Sequence, residues 1–120
     1  MSTNDTLSRI ENQIANHTVL LYLKGTPDLP MCGYSSRVVQ ILKGLNTEYA
    51  FVNILSEPEI RAALPGYANW PTFPQLYVQG ELMGGCDIVS DLHEKGELKS
   101  LLSAASALAV TSPKVIVAPE

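Results

Sequence analysis

The sequence predicts an α/β domain, a four-stranded mixed sheet with helices on both faces. Apolar positions at helical spacing alternate along the chain with short β-favouring runs. Two of those runs flank Gln79-Gly80, the mark of a tight hairpin. The length of 120 residues, 46% of them hydrophobic, fits one domain whose core needs neither a metal nor a disulfide to hold it.

The first helix is expected from Asp5, with Leu7, Ile10 and Ile14 on its apolar face and Asn4 or Asp5 as N-cap. Val19 to Leu23 is a continuous apolar run that reads as a buried strand. Pro27 and Pro30 make Gly25 to Met31 a loop. A second helix should begin near Cys32, bury Val38, Val39, Ile41, Leu42 and Leu45, and end near Asn46. Tyr49 to Ile54 reads as the second strand.

Ser56 and Glu59 have the spacing of a capping box, with Pro58 suited to the first turn of the helix they open. Pro65-Gly66 should end that helix near Leu64. Gln75 to Val78 and Glu81 to Met83 form the hairpin strands. A fourth helix follows Gly84-Gly85, with Asp87 as its N-cap, and a fifth runs from about Glu97 to about Ala107 after a break at Gly96. This order gives a β-α-β crossover joined to a β-β hairpin, the thioredoxin-like arrangement. Residues 1–107 are therefore read as the domain and residues 108–120 as a flexible tail. The apolar Val115 to Val117 leaves a second reading open, in which the tail docks on the domain or on a neighbour.

Composition narrows the function. Eight basic residues lie scattered in a chain of net charge −4, which argues against nucleic acid as a partner. The polar stretch Met1 to Ile10 lacks the apolar core of a secretory signal, and no apolar run approaches the length of about 20 residues that crosses a membrane. A cytoplasmic protein is expected, with its two cysteines, Cys32 and Cys86, acting separately rather than as a structural disulfide.

Cys32 stands after a proline-bearing loop and at a helix start, where free N–H groups and the helix dipole favour an anion. A thiol there ionises more readily, and the thiolate is the form that attacks disulfides and binds metals. Lys24 adds a nearby positive charge. Position 35 is Ser, so the chain lacks the second thiol that would resolve a mixed disulfide three residues on. An outside thiol must do so.

Trp70-Pro71-Thr72-Phe73-Pro74 precedes the third strand, where the backbone of Phe73 can be offered to a substrate. Whether the Phe73–Pro74 bond is cis or the segment is an ordinary proline turn is open at this point. Gly84-Gly85-Cys86-Asp87 lets the backbone approach a ligand at another helix start, where bare N–H groups receive a carboxylate. Cys86 reads as a packing residue. His17 and His93 have no partner at metal-ligand spacing.

Lys24-Gly25-Thr26-Pro27, Pro30-Met31-Cys32-Gly33-Tyr34-Ser35, Trp70-Pro71-Thr72-Phe73-Pro74-Gln75 and Gly84-Gly85-Cys86-Asp87 together closely resemble the monothiol glutaredoxins of the Cys-Gly-Phe-Ser type. The likeness spans about residues 5 to 104 and fits the bacterial single-domain form. It implies a glutathione groove in which Lys24 and Arg61 hold the glycine-end carboxylate and Phe73 pairs through its backbone. Cys86 and Asp87 would receive the γ-glutamyl end, with Thr72 in the same matching segment. Arg61 is singled out by the resemblance alone.

The resemblance further implies a [2Fe–2S] cluster with Cys32 as iron ligand. Such a cluster usually takes four thiolates, so two chains and two glutathiones would complete it in a homodimer. A BolA-family protein and apo iron–sulfur proteins are the implied partners, and an iron–sulfur carrier is the implied role. The alternative is a glutathione-dependent oxidoreductase that removes glutathione from mixed disulfides. Tyr34 departs from the family's usual Phe and adds a hydroxyl that needs water or a partner.

Overall fold

The computed structural model describes residues 3–118, with the side chains of residues 3 and 4 outside the description. The elements are α1 (Thr3–Asn16), β1 (Val19–Leu23), α2 (Gly33–Gly44), β2 (Tyr49–Asn53) and α3 (Pro58–Ala68). They continue with β3 (Gln75–Val78), β4 (Glu81–Gly84), α4 (Cys86–Glu94), α5 (Glu97–Ala104) and β5 (Val115–Val117).

The sheet order is β4-β3-β1-β2-β5, a thioredoxin-like arrangement with one more strand than the four expected. β1 pairs parallel with β2 and antiparallel with β3, as the crossover and the return through the hairpin require. The hairpin turns at Gln79 and Gly80, both with positive φ (51° and 82°), the conformation of a type I′ turn.

β1 explains why its sequence does not alternate. Successive side chains point to opposite faces of the sheet, and here both faces are covered. Val19, Leu21 and Leu23 face a core built with α2, α4 and α5, while Leu20 and Tyr22 face a second core built with α1 and α3. In the second core the Tyr22 hydroxyl donates to Gln13 Oε1 at 2.8 Å, which satisfies a buried phenol. Burial holds the Tyr22 phenol far above its ordinary pKa.

The reading of residues 108–120 as a flexible tail gives way to its alternative. β5 pairs parallel with β2, with Tyr49 opposite Val115 and Phe51 opposite Val117. The bond from Tyr49 N–H to the Lys114 carbonyl (3.0 Å) and that from Ala118 N–H to the Phe51 carbonyl (2.9 Å) close its two ends. The open edge of β2 supplies the partners that the tail's own sequence does not announce.

Four local expectations are corrected. α3 runs through Pro65 to Ala68 and stops at Asn69 in the left-handed region, because proline's fixed φ is helical and costs only the bond to the Arg61 carbonyl. No capping box forms at its start: Glu57 is the N-cap, Ser56 Oγ accepts from Asn53 Nδ2, and Glu59 accepts from the Thr6 hydroxyl. α4 begins two residues earlier than expected, so Gly85 is its N-cap and Asp87 sits in the first turn. Likewise α1 begins at Thr3, which places Asp5 in its first turn and not at its cap. No helix among the described residues is long and apolar enough to cross a membrane.

Candidate functional site

One cavity of about 750 Å³ opens at the end of the sheet where α2 begins. Its walls bring together all seven residues singled out from the sequence: Lys24, Cys32, Arg61, Thr72, Phe73, Cys86 and Asp87. They arrive from five places: the end of β1, the start of α2, the middle of α3, the loop before β3, and the start of α4.

Cys32 is the N-cap of α2, with extended backbone angles (φ −154°, ψ 139°), so the first turn's N–H groups open toward its sulfur. Its pKa lies below the ordinary thiol value. The Ser35 N–H contributes most, burial opposes it, and the Tyr34 N–H, the Lys24 ammonium and the Ser35 hydroxyl assist. Cys32 is half-buried, in neither of the two cores, and carries no disulfide.

Ser35 occupies the place where a dithiol site would hold its second sulfur. It is fully buried. Its Oγ accepts from the Lys24 N–H at 3.1 Å, tying the end of β1 to the first turn of α2. The same hydroxyl assists ionisation of Cys32, so Ser35 serves the thiolate without competing with it.

The loop between Lys24 and Cys32 is fixed by Gly25. Its φ of +97° suits glycine, and a Cβ there would lie 2.5 Å from the Leu29 carbonyl oxygen and 2.7 Å from the Met31 nitrogen. The Gly25 N–H donates to Asn53 Oδ1 at 3.0 Å, and the Met31 N–H returns to the Lys24 carbonyl at 2.9 Å. The loop thereby delivers the lysine and the thiol to one wall.

The Phe73–Pro74 peptide is cis, which decides between the two readings left open by the sequence. Phe73 is half-buried, whereas Thr72 and Asp87 are exposed. Gly85 passes close over Trp70: a Cβ there would lie 3.3 Å from the indole Nε1 and 3.2 Å from the Pro74 carbonyl oxygen. Cys86 packs against the core around α2, and its Sγ lies 4.0 Å from Ser90 Oγ, within its own helix. That placement agrees with a packing role for the thiol.

Reading the sequence missed Pro65 and Ile88, which also line the cavity. Pro65 was hidden by the expectation that it ended the helix, and Ile88 carries no chemical signal. Among the described residues no group of three or more His, Cys, Asp or Glu side chains is arranged to hold a metal ion.

Residues 19–83 match the glutaredoxin family model. The chain is 53% identical over 107 residues to glutaredoxin 4 of Escherichia coli K12, covering 89% of this chain and 91% of that protein. It is 49% identical over 100 residues to glutaredoxin 4 of Buchnera aphidicola, covering 83% of this chain and 93% of that one. Among solved structures, reduced apo GrxS14 of poplar aligns at 43% identity and a TM-score of 0.75, over 88% of this chain and 98% of that one. A buckwheat glutaredoxin–glutathione complex aligns at 26% identity and a TM-score of 0.79, over 89% and 96%.

Proposed function

Since the chain belongs to the glutaredoxin family, and within it to the monothiol members, we propose that its cavity binds glutathione and that it carries a [2Fe–2S] cluster as cargo between two copies of itself. The observation that carries the reading is a single thiolate-prone cysteine at the mouth of a ligand-sized cavity, with a buried serine in place of the second thiol.

The cavity suits glutathione. Its volume falls within the range of about 300–1,000 Å³ common for small-molecule sites. Glutathione is a tripeptide with two carboxylates, one ammonium and one thiol. Lys24 and Arg61 offer cations to the cavity that Cys32 lines, and Asp87 with the start of α4 offers an anion and free N–H groups to the same cavity. The backbone at Phe73 lines the same cavity and suits the peptide part of the ligand. Glutathione bound this way supplies a second sulfur beside Cys32.

The cluster reading follows from ligand supply. Four thiolates are usual, and one chain contributes Cys32. Two chains and two glutathiones complete the set, which makes the dimer dependent on both. Delivery to an apo iron–sulfur protein then needs no unfolding, because half of the ligands are free to exchange. A BolA-family partner and a cytoplasmic setting belong to the same proposal.

Anaerobic reconstitution with iron, sulfide and glutathione tests it. The expected product is a coloured dimer that forms only with glutathione present and not in Cys32→Ser. A colourless monomer under all conditions overturns the reading.

A second reading, reduction of glutathione mixed disulfides, is favoured by the lowered pKa and partial exposure of Cys32. A glutathione-dependent disulfide reduction rate that is robust, and lost in Cys32→Ser, would put this reading first.

A further inference from the structure

The loop from Trp70 to Pro74 forms one wall of the cavity, and its backbone has few partners of its own. Pro71 and Pro74 have no N–H to give. The Trp70 N–H is spent on the Pro65 carbonyl at 3.1 Å. Two carbonyls of the loop are bound instead by one side chain. Gln75 Nε2 donates to the Trp70 carbonyl at 3.0 Å and to the Thr72 carbonyl at 3.2 Å.

Gln75 is fully buried, and its Oε1 accepts from the Tyr77 hydroxyl at 3.1 Å. The amide is therefore held at both ends. Turning it over would set its oxygen against two carbonyl oxygens, so only one orientation satisfies all three neighbours. Gln75 and Tyr77 share a face of β3 because they lie two residues apart on a strand. The two residues act as one support beneath the loop.

We infer that Gln75, braced by Tyr77, is a positioning residue for glutathione: by drawing the Thr72 carbonyl inward it turns the Phe73 N–H out toward the ligand. The step rests on peptide geometry. The only cis bond among the described residues is Phe73–Pro74, so the Thr72–Phe73 peptide is trans and its C=O and N–H point opposite ways. Phe73 lines the cavity, and among the described residues no backbone carbonyl accepts from its N–H. That donor is left for a ligand carbonyl.

This inference rests on the cavity being the glutathione site, and the test separates the two. In a buffer of reduced glutathione and glutathione disulfide, the Cys32 thiolate attacks the disulfide, forms one S–S bond and releases one glutathione thiolate. Intact mass gives the equilibrium of that exchange, with Cys32→Ser reporting adducts formed elsewhere. Alkylation of Cys32 by iodoacetamide, which needs the thiolate but no tripeptide groove, is measured beside it.

Gln75→Leu keeps the side-chain bulk and removes both donors. It should weaken glutathionylation relative to alkylation by about 10-fold, the scale of losing one aligned hydrogen bond. Tyr77→Phe, which keeps the ring in the core and loosens only the amide, should show a smaller loss of roughly 3-fold. Emission from Trp70, the chain's one tryptophan, should shift to the red in both as the loop loosens.

Wild-type glutathionylation in both variants overturns the inference and leaves the glutathione site standing. A wild-type chain that takes glutathione no better than an unfolded peptide carrying the same cysteine overturns both. Should Gln75→Leu fail to fold, Tyr77→Phe decides: an unchanged ratio of the two reactions refutes the support, and a lowered one upholds it.

Discussion

Adjacent glycines at the end of β4 make opposite demands, and replacing each by alanine separates them. Gly84 has a φ of +132°, and a Cβ there would lie 2.9 Å from both Cβ and Cδ1 of Ile88. A non-glycine residue in so sparse a region costs about 1–3 kcal/mol. Forcing a methyl into a filled space costs about 1–3 kcal/mol more. Gly84→Ala should therefore destabilise the fold by about 2–6 kcal/mol. Gly85 has a φ of −97°, open to any residue, and its nearest contacts would be 3.2 and 3.3 Å, which a shift of a few tenths of an ångström relieves. As an N-cap, Gly85→Ala should cost about 0.5–1 kcal/mol. At roughly 4 °C per kcal/mol for a domain near this size, thermal unfolding followed by circular dichroism should lower Tm by at least about 8 °C in the first variant and by at most about 4 °C in the second. Equal losses, or the reverse order, would show that the turn is not held as described.

Ionisation of Cys32 gives a pH signature. Its pKa in the folded chain lies below the unfolded value, so ionisation adds stability that is complete above the unfolded pKa and is lost as pH falls through the folded one. Urea midpoints should rise with pH between those two values in the wild type and lie flatter in Cys32→Ser. Ser35→Ala should raise the Cys32 pKa, slow iodoacetamide alkylation at neutral pH, and cost about 1–2 kcal/mol because the Lys24 N–H loses its acceptor. Truncation after Pro113 removes β5 and the bonds at Tyr49 and Ala118, and should cost about 2–3 kcal/mol. Glutathionylation of Cys32 should survive it, because β5 lies on the outer side of β2 and lines no part of the cavity.

Features held by local chemistry could be read directly from the residues. β1 is legible because five consecutive apolar residues buried on both faces leave no other sensible reading. The Gln79-Gly80 turn and the helix start at Cys32 are legible for the same kind of reason: a backbone conformation demands particular residues at particular positions. Where tertiary contacts decide, the residues mislead. Ser56 and Glu59 have the spacing of a cap, but Asn53 and Thr6 claim their oxygens. Pro65 looks like a stop, yet Ile60 and Leu64 hold α3 onto the sheet and the helix runs past it. β5 is three exposed residues between prolines, and only the open edge of β2 makes it a strand. Gln75 belongs with these. Nothing in its neighbours along the chain says that its amide will bind two carbonyls of the preceding loop.

The same contrast explains why the cavity is found only in three dimensions although its parts are legible singly. Apart from Arg61 and Pro65 of α3, its walls are the ends of elements: the end of β1 into Lys24, the first turns of α2 and α4, and the loop entering β3. Element ends carry unpaired backbone groups, and these are the groups that recognise a peptide-like ligand. At Cys32 the spare N–H groups of α2 stabilise a charge that the chain itself supplies. At Gly85 and Cys86 the start of α4 carries no acceptor from a side-chain cap, so its N–H groups remain for a ligand. A thiolate at one helix start and an open helix start on the same cavity are suited to different ends of one molecule. The glutathione proposed above fits that pair, with its thiol at Cys32, its γ-glutamyl carboxylate at α4 and a peptide unit between the two.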